Sequence, residues 1–386
     1  MDLVLALALA LATIPQASSP AAAPAAPALA RASVATAAQL ERLIQDGKAD
    51  EAVKEGRPAV AAHPDDVDLR LALARALAAT ARHTNRQVNV KVSKDDTERG
   101  EIRLKDEDLR AATLQVDYDA ALLDEALASL EFGIKRAPQR ADLRVFQCFL
   151  LTDAGRIDQA KAAIESALAA LPKTAATAKT MTAYGAERAK RGDPAGGAEL
   201  LAPVVKAYPD DATIMIDYAN VLTRLGRKYE SYDAFDRATL LAPKDARTVR
   251  TKAIGAMLLR DYRRARGAFD TAFRLSHDVA DEFASYAAVY GLDPGASATL
   301  MRELGKPAAA SNPAVADLAN AFVQAGTAGA SSKEAMTLAR SLLDSQQFVL
   351  AIPVLDRAVK ASPKDAEATA MLQTAYRELG CASLAK

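Results

Sequence analysis

The side chains able to do covalent or acid–base chemistry are few in this sequence and far apart. The three histidines, His63, His83 and His277, include no pair at the spacing that seats a metal on one helix face. His63 stands just before Pro64, and His277 takes a place that proline holds elsewhere, so both read as structural. There is no phosphate-binding loop and no Gly-x-Ser-x-Gly elbow. Cys148 and Cys381 are too few for a disulfide framework or a thiolate metal site. The sequence therefore predicts no catalytic residue, no metal, no cofactor and no small-molecule substrate. Residues 244–274 carry nine Lys/Arg against three Asp/Glu, but their aromatics are not interleaved in a way that would suggest stacked bases. The turn and outer-helix placement of Arg260, Arg263, Arg264 and Arg266 predicts a solvated face rather than a nucleic-acid interface. Across the chain 49 basic residues balance 49 acidic ones, which gives no general attraction to nucleic acid or acidic lipid.

The elements that would position a binding surface are repeats. Ser231, Phe235, Ala238 and Pro243 recur 34 residues later as Ala265, Phe269, Ala272 and His277. Each copy reads as two short amphipathic helices joined by a tight turn. Small residues let the two backbones approach, an aromatic fills the remaining gap, and proline ends the second helix. Pro64, Pro138, Pro172, Pro209, Pro243 and Pro363 mark successive ends, with a three-residue insertion in Lys173–Thr177. Gly47, Gly155, Gly192 and Gly226 fall at the turns, where a positive φ is expected. A chain half hydrophobic but only 5% aromatic, with no Trp, suits many small helix–helix contacts better than one large core. Cys148 falls where Ala219 and Ala253 sit in later copies, so it reads as a small buried hydrophobe. An intrachain bridge to Cys381 is not expected.

This spacing and residue pattern resemble the tetratricopeptide repeat (TPR) family. The resemblance implies an all-α, right-handed α-solenoid of TPR-like helix pairs, here with one inserted β-hairpin. Its units would be 33–66, 67–140, 141–177, 178–211, 212–245, 246–279, a degenerate 280–331, and 332–365, closed by a capping helix over 366–380. It also implies that first helices line a groove. The groove positions carried over are Asp142, Val145, Phe149, Thr152 and Asp153; Thr213, Ile216, Asn220, Thr223 and Arg224; and Arg247, Arg250, Ile254, Met257 and Leu258. Asn220 matches the position at which some members hold a peptide main chain, and Arg224, Arg247 and Arg250 would either surround it with charge suited to a carboxylate or simply solvate the surface. Ile216 stands where chaperone-binding members carry Lys, so a carboxylate clamp of that type is not supported. Phe149 and Met257 complete the expected groove contacts.

The second unit is interrupted by 40 extra residues. Val88, Val90 and Val92 alternate with polar residues, and Ile102 and Leu104 alternate again after a polar turn. This predicts a hairpin over 86–105, with strands Gln87–Val92 and Glu101–Leu104, one apolar face that needs cover, and a free edge that either recruits another chain or merely decorates the loop. Leu109, Thr113, Val116, Ala120, Leu123, Leu127, Leu130 and Ile134 step at helical spacing, which predicts one helix of about 30 residues against which the hairpin lies.

Leu3 to Ile14 is an unbroken apolar run, too short to span a bilayer as a helix but normal for a signal-peptide core. Residues 15–32 follow as a Pro/Ala linker. No cysteine follows the run, so no lipid anchor is expected. The first charge is Asp2, and no Lys or Arg precedes Arg31, which departs from an ordinary leader. Two functions fit. One is an exported, periplasmic scaffold that grips a protein segment. The other is a cytoplasmic or membrane-associated accessory subunit that docks onto a catalytic partner.

Overall fold

A computed structural model of the chain describes residues 35–87, 113–276 and 313–385, together with Ser285, Ala288, Val289 and Gly291. Among the described residues there are sixteen α-helices and one two-stranded antiparallel ladder. They divide into two compact units, residues 1–180 and 181–386. No helix among them is long and apolar enough to cross a membrane.

In unit 1, α1 (Ala37–Gln45) and α2 (Ala49–Ala62) form the first pair, and α3 (Val67–Ala81) packs against α4 (Ala120–Arg136). Helix α5 (Ala141–Asp153) pairs with α6 (Ile157–Ala170), and the division into units falls inside α7 (Ala175–Lys190). Unit 2 continues with α8 (Pro194–Ala207), α9 (Ala212–Arg224), α10 (Lys228–Leu241), α11 (Ala246–Leu258) and α12 (Tyr262–Leu275). It ends with α13 (Pro313–Ala328), α14 (Lys333–Asp344), α15 (Phe348–Ala361), α16 (Ala366–Glu378) and a short 3₁₀ turn at Ala382–Leu384. The described residues are all-α apart from the small ladder.

The local causes are those the spacing implies. First helices begin on aspartates whose carboxylates accept from backbone N–H groups one turn in: Asp66 for α3, Asp211 for α9, Asp245 for α11 and Asp365 for α16. At the pair turns Gly47, Gly155, Gly192 and Gly226 take φ of 71° to 93°. Arg260 holds the same backbone position in the next turn at φ 57°, although it carries a side chain. Inside the pairs the closest approaches fall on the small residues. Ala219, Ala253, Ala238 and Ala272 are at most 1% exposed, with Phe235 and Phe269 fully buried between them. At the α7–α8 crossing, a Cβ on Gly185 would stand 2.8 Å from the Gly197 carbonyl oxygen. Enlarging such a contact has no room to relax, so Ala253→Leu is expected to lower stability by about 1–3 kcal/mol. A urea midpoint equal to that of the parent would show that Ala253 is not at the contact.

The inserted arm differs from its expected form. The ladder pairs β1 (Arg82–Gln87) with β2 (Thr113–Tyr118), in the register Arg82↔Tyr118 to Gln87↔Thr113. The expected strands meet it only at Gln87; Val88, Val90, Val92, Ile102 and Leu104 lie outside the described residues. The expected long helix is replaced by β2 followed by the 17-residue α4. Two features impose the break. Thr113, Val116 and Tyr118 favour extended backbone. Asp119 caps α4 through Ala121 and Leu122, while its own N–H donates to the Ala81 carbonyl at 2.9 Å, closing the base of the arm. The helical stepping of Thr113 and Val116 was fortuitous.

In the degenerate stretch, residues 313–328 form the continuous helix α13, and most of 280–312 is outside the described residues. Helix α16 buries Ala368, Leu372, Ala375 and Tyr376 against α14 and α15.

Candidate functional site

The root of the arm is fixed by a buried carboxylate. Asp153, at the end of α5, has a side chain 2% exposed. It accepts from the Tyr118 hydroxyl at 2.6 Å and from Arg82 Nε at 3.0 Å. One acid thereby holds the base of both strands. Burial first, and then the Asp153 charge, raise the Tyr118 pKa far above an ordinary phenol, so the hydroxyl remains a donor at neutral pH. Asp153, named above as a groove position, therefore serves the arm. Its neighbours on α5 are equally occupied: Val145, Phe149 and Thr152 are at most 7% exposed. Phe149 lies 6.0 Å from Phe146 in a stacked pair and offers a partner little surface.

In unit 2, α9 and α11 lie side by side. Asn220 and Arg250 are half-buried along them, and the Arg247 side chain is 93% exposed, 3.8 Å from Asp245. Three expected groove residues are not open. Thr223 is 1% exposed, and its hydroxyl donates to the Ala219 carbonyl at 2.9 Å. Met257 is fully buried in the core shared by α11, α12, α14 and α15, because its helix face turns toward α12 and α15 rather than outward. Arg224 is engaged by the chain itself. Its Nη1 donates to the Ala189 carbonyl at 3.3 Å, its backbone oxygen accepts from the Ser383 hydroxyl, and its guanidinium lies against Gly380. The C-terminal turn thus sits where the sequence pattern placed a ligand carboxylate.

That turn belongs to a polar cluster that no local spacing foretells. Asp356 on α15, its side chain 2% exposed, accepts from Tyr262 Oη at 2.8 Å and Lys360 Nζ at 2.8 Å, and lies 3.5 Å from Arg260 Nη1. Arg260 Nε donates to Tyr376 Oη at 3.0 Å and Nη2 to the Leu384 carbonyl at 3.1 Å, while Tyr376 Oη donates to the Leu258 carbonyl at 3.0 Å. The positive φ of Arg260 is thus maintained by three partners from the C-terminal helices. Burial first, with Asp356 next, raises the Tyr262 pKa far above its usual value.

The thiols are inert by position. Cys148 is fully buried and its pKa is pushed up to about 12 by burial; Cys381 is 1% exposed and is also raised by burial. Among the described residues no three His, Cys, Asp or Glu side chains are grouped to hold a metal. His63 follows α2, His83 lies exposed on β1, and His277 is outside the described residues.

No protein-family model matches the chain, and no curated protein matches it. Solved structures do. YrrB, described as a TPR protein with an unusual peptide-binding site, is 15% identical over 58% of this chain and 94% of its own, with a TM-score of 0.31. MamA is 22% identical over 42% of this chain and 87% of its own, with a TM-score of 0.28. pilF of Pseudomonas aeruginosa is 14% identical over 65% of this chain and 95% of its own, with a TM-score of 0.29. The class assigned to this chain, an all-α tandem of TPR-like helix pairs, rests on its own helices, turns and small-residue contacts.

Proposed function

We propose that the protein is a non-catalytic scaffold that holds a segment of a partner protein along α9 and α11 of unit 2. The observation that carries this reading is that Asn220 and Arg250 are half-buried on the adjacent first helices α9 and α11, while Arg247 of α11 is exposed. An amide can bond both the N–H and the C=O of an extended chain, and guanidinium groups add charge-assisted bonds to an acidic side chain. Half-burial fixes the two side chains in advance, which lowers the entropy lost on binding. Combining Asn220→Ala with Arg250→Ala is expected to abolish co-purification of the partner while leaving helicity unchanged. Retention of the partner by that variant would remove α9 and α11 as the interface.

We further propose that the scaffold is exported, to the periplasm of a bacterial envelope, on the basis of the apolar run Leu3 to Ile14 and the Ala/Ser stretch after it. Sequencing the mature N-terminus tests this. A start between residues 18 and 32 supports export, whereas an intact Met1 favours an accessory subunit working in the cytoplasm or at the membrane.

A further inference from the structure

Unit 1 presents the same three-helix cell twice, once in α2, α3 and α4 and again in α4, α5 and α6. The equivalence is visible in one bond. Arg70 of α3 donates from Nε to the Pro64 carbonyl at 2.6 Å, and Arg144 of α5 donates from Nε to the Pro138 carbonyl at 2.8 Å. The two cells are finished differently. In the first, the Phe132 ring covers the Arg70 guanidinium at 3.7 Å. Arg57 and Glu125 then bridge α2 and α4 with two bonds of 2.9 and 2.6 Å. In the second, Ser166 stands in place of Phe132, Gln147 in place of Leu73, and Glu131 and Gln159 in place of the bridging Arg57 and Glu125. Glu131 turns to Lys135 on its own helix, at 3.2 Å. What remains is a cleft of about 570 Å³ with Leu151, Gln147, Arg144 and Ser166 in its lining, where the carboxylates Asp124 and Glu131 are already paired with Arg156 and Lys135. That is an ordinary size for a ligand site.

Arg144 is the unusual member. It is only 7% exposed, yet neither of its side-chain hydrogen bonds reaches a carboxylate; they go to Pro138 and, at 2.9 Å, to Ser166. Two of the five guanidinium donors are used. A buried cation without a counter-charge is costly, and a ligand that brings one recovers that cost. The missing ring is the second half of the argument: an aromatic face over a desolvated guanidinium is attractive, and the first cell supplies it from within the chain.

We infer that the α4–α6 cleft is a second protein-binding site, which takes an aromatic side chain flanked by a carboxylate from a partner's segment. The aromatic ring stacks on Arg144 as Phe132 does on Arg70, and the carboxylate supplies the direct counter-charge that Arg144 lacks, because Asp124 and Glu131 are held by Arg156 and Lys135. This rests on the scaffold reading but not on the α9–α11 surface.

The test uses the full chain and a displayed library of random short peptides. Selection is expected to yield an aromatic residue beside Asp or Glu, and a fluorescent synthetic copy of that motif serves as the probe. Ser166→Phe restores the residue of the first cell, so it should fill the slot without loss of melting temperature and weaken the probe at least about tenfold. The Asn220→Ala, Arg250→Ala variant should bind the probe like the parent. A library that yields no acidic–aromatic motif, or a motif that binds Ser166→Phe within about threefold of the parent, overturns the assignment. Loss of the probe in the α9–α11 variant with retention in Ser166→Phe would leave the scaffold reading standing and remove the cleft.

Discussion

Asp356→Ala is expected to lower the stability of unit 2 by about 3 kcal/mol, the range in which removal of one member of a buried charged cluster falls. The loss is large because two donors converge on one oxygen of a carboxylate that water hardly reaches, with the Arg260 charge 3.5 Å from the other oxygen. Tyr262 loses its acceptor inside the protein, Arg260 and Lys360 lose their counter-charge, and Arg260 keeps its positive φ with less to hold it. The exposure of Lys360, at 65% of its side chain, keeps the expected figure toward the lower end. Asp356→Asn should cost less, since an amide oxygen still accepts from Tyr262. Urea unfolding of the two variants beside the parent measures both values. A loss below about 1 kcal/mol for alanine, or equal losses for the two, would mean that the cluster is surface decoration.

The second large effect belongs to the arm. Asp153→Ala removes the acceptor shared by Tyr118 and Arg82 and is expected to cost about 3 kcal/mol, again because the carboxylate is almost wholly buried. Stability alone would not identify the role, so hydrogen exchange is the sharper measurement. Amides of Arg82–Gln87 and Thr113–Tyr118 should exchange much faster in the variant, while those of α1 and α2 should keep the parent rates. Unchanged strand exchange would show that the ladder is held by other contacts and that Asp153 only fills the end of α5.

The contrast between the two clusters and the helix pairs shows where sequence carries structural information. Pair positions were legible because each depends on residues within one 34-residue unit: Ala219 against its own second helix, Gly226 at its own turn, Asp211 at its own N-terminus. The burial of Cys148 followed from the same register. Asp153 and Asp356 were not legible, because their partners come from other elements: Tyr118 and Arg82 from the arm, Tyr262 and Arg260 from a helix pair far earlier in the chain. Arg224 failed as a ligand site for the same reason, since nothing local foretells that Ser383 and Gly380 come to lie against it. The α4 boundary was missed because a four-three stepping of Leu109, Thr113 and Val116 satisfies helical spacing by chance. The alternation of Leu114, Val116 and Tyr118 with Gln115 and Asp117 was the weaker signal, although Asp119 as a cap was available to break the tie. The open cleft could have been found by aligning Phe132 with Ser166, a comparison of repeats rather than a search for motifs.

The central claim is that the chain acts by holding a protein segment on α9 and α11. Site-specific photo-crosslinking in native cells tests it most directly, with the reactive group placed at Arg247 and, as a control, at Tyr229 of α10, which is 81% exposed. The predicted result is one dominant protein adduct from position 247, absent from 229, and lost when Asn220→Ala and Arg250→Ala are added. An adduct from 229 with none from 247, or one from 247 that survives the two substitutions, would contradict it.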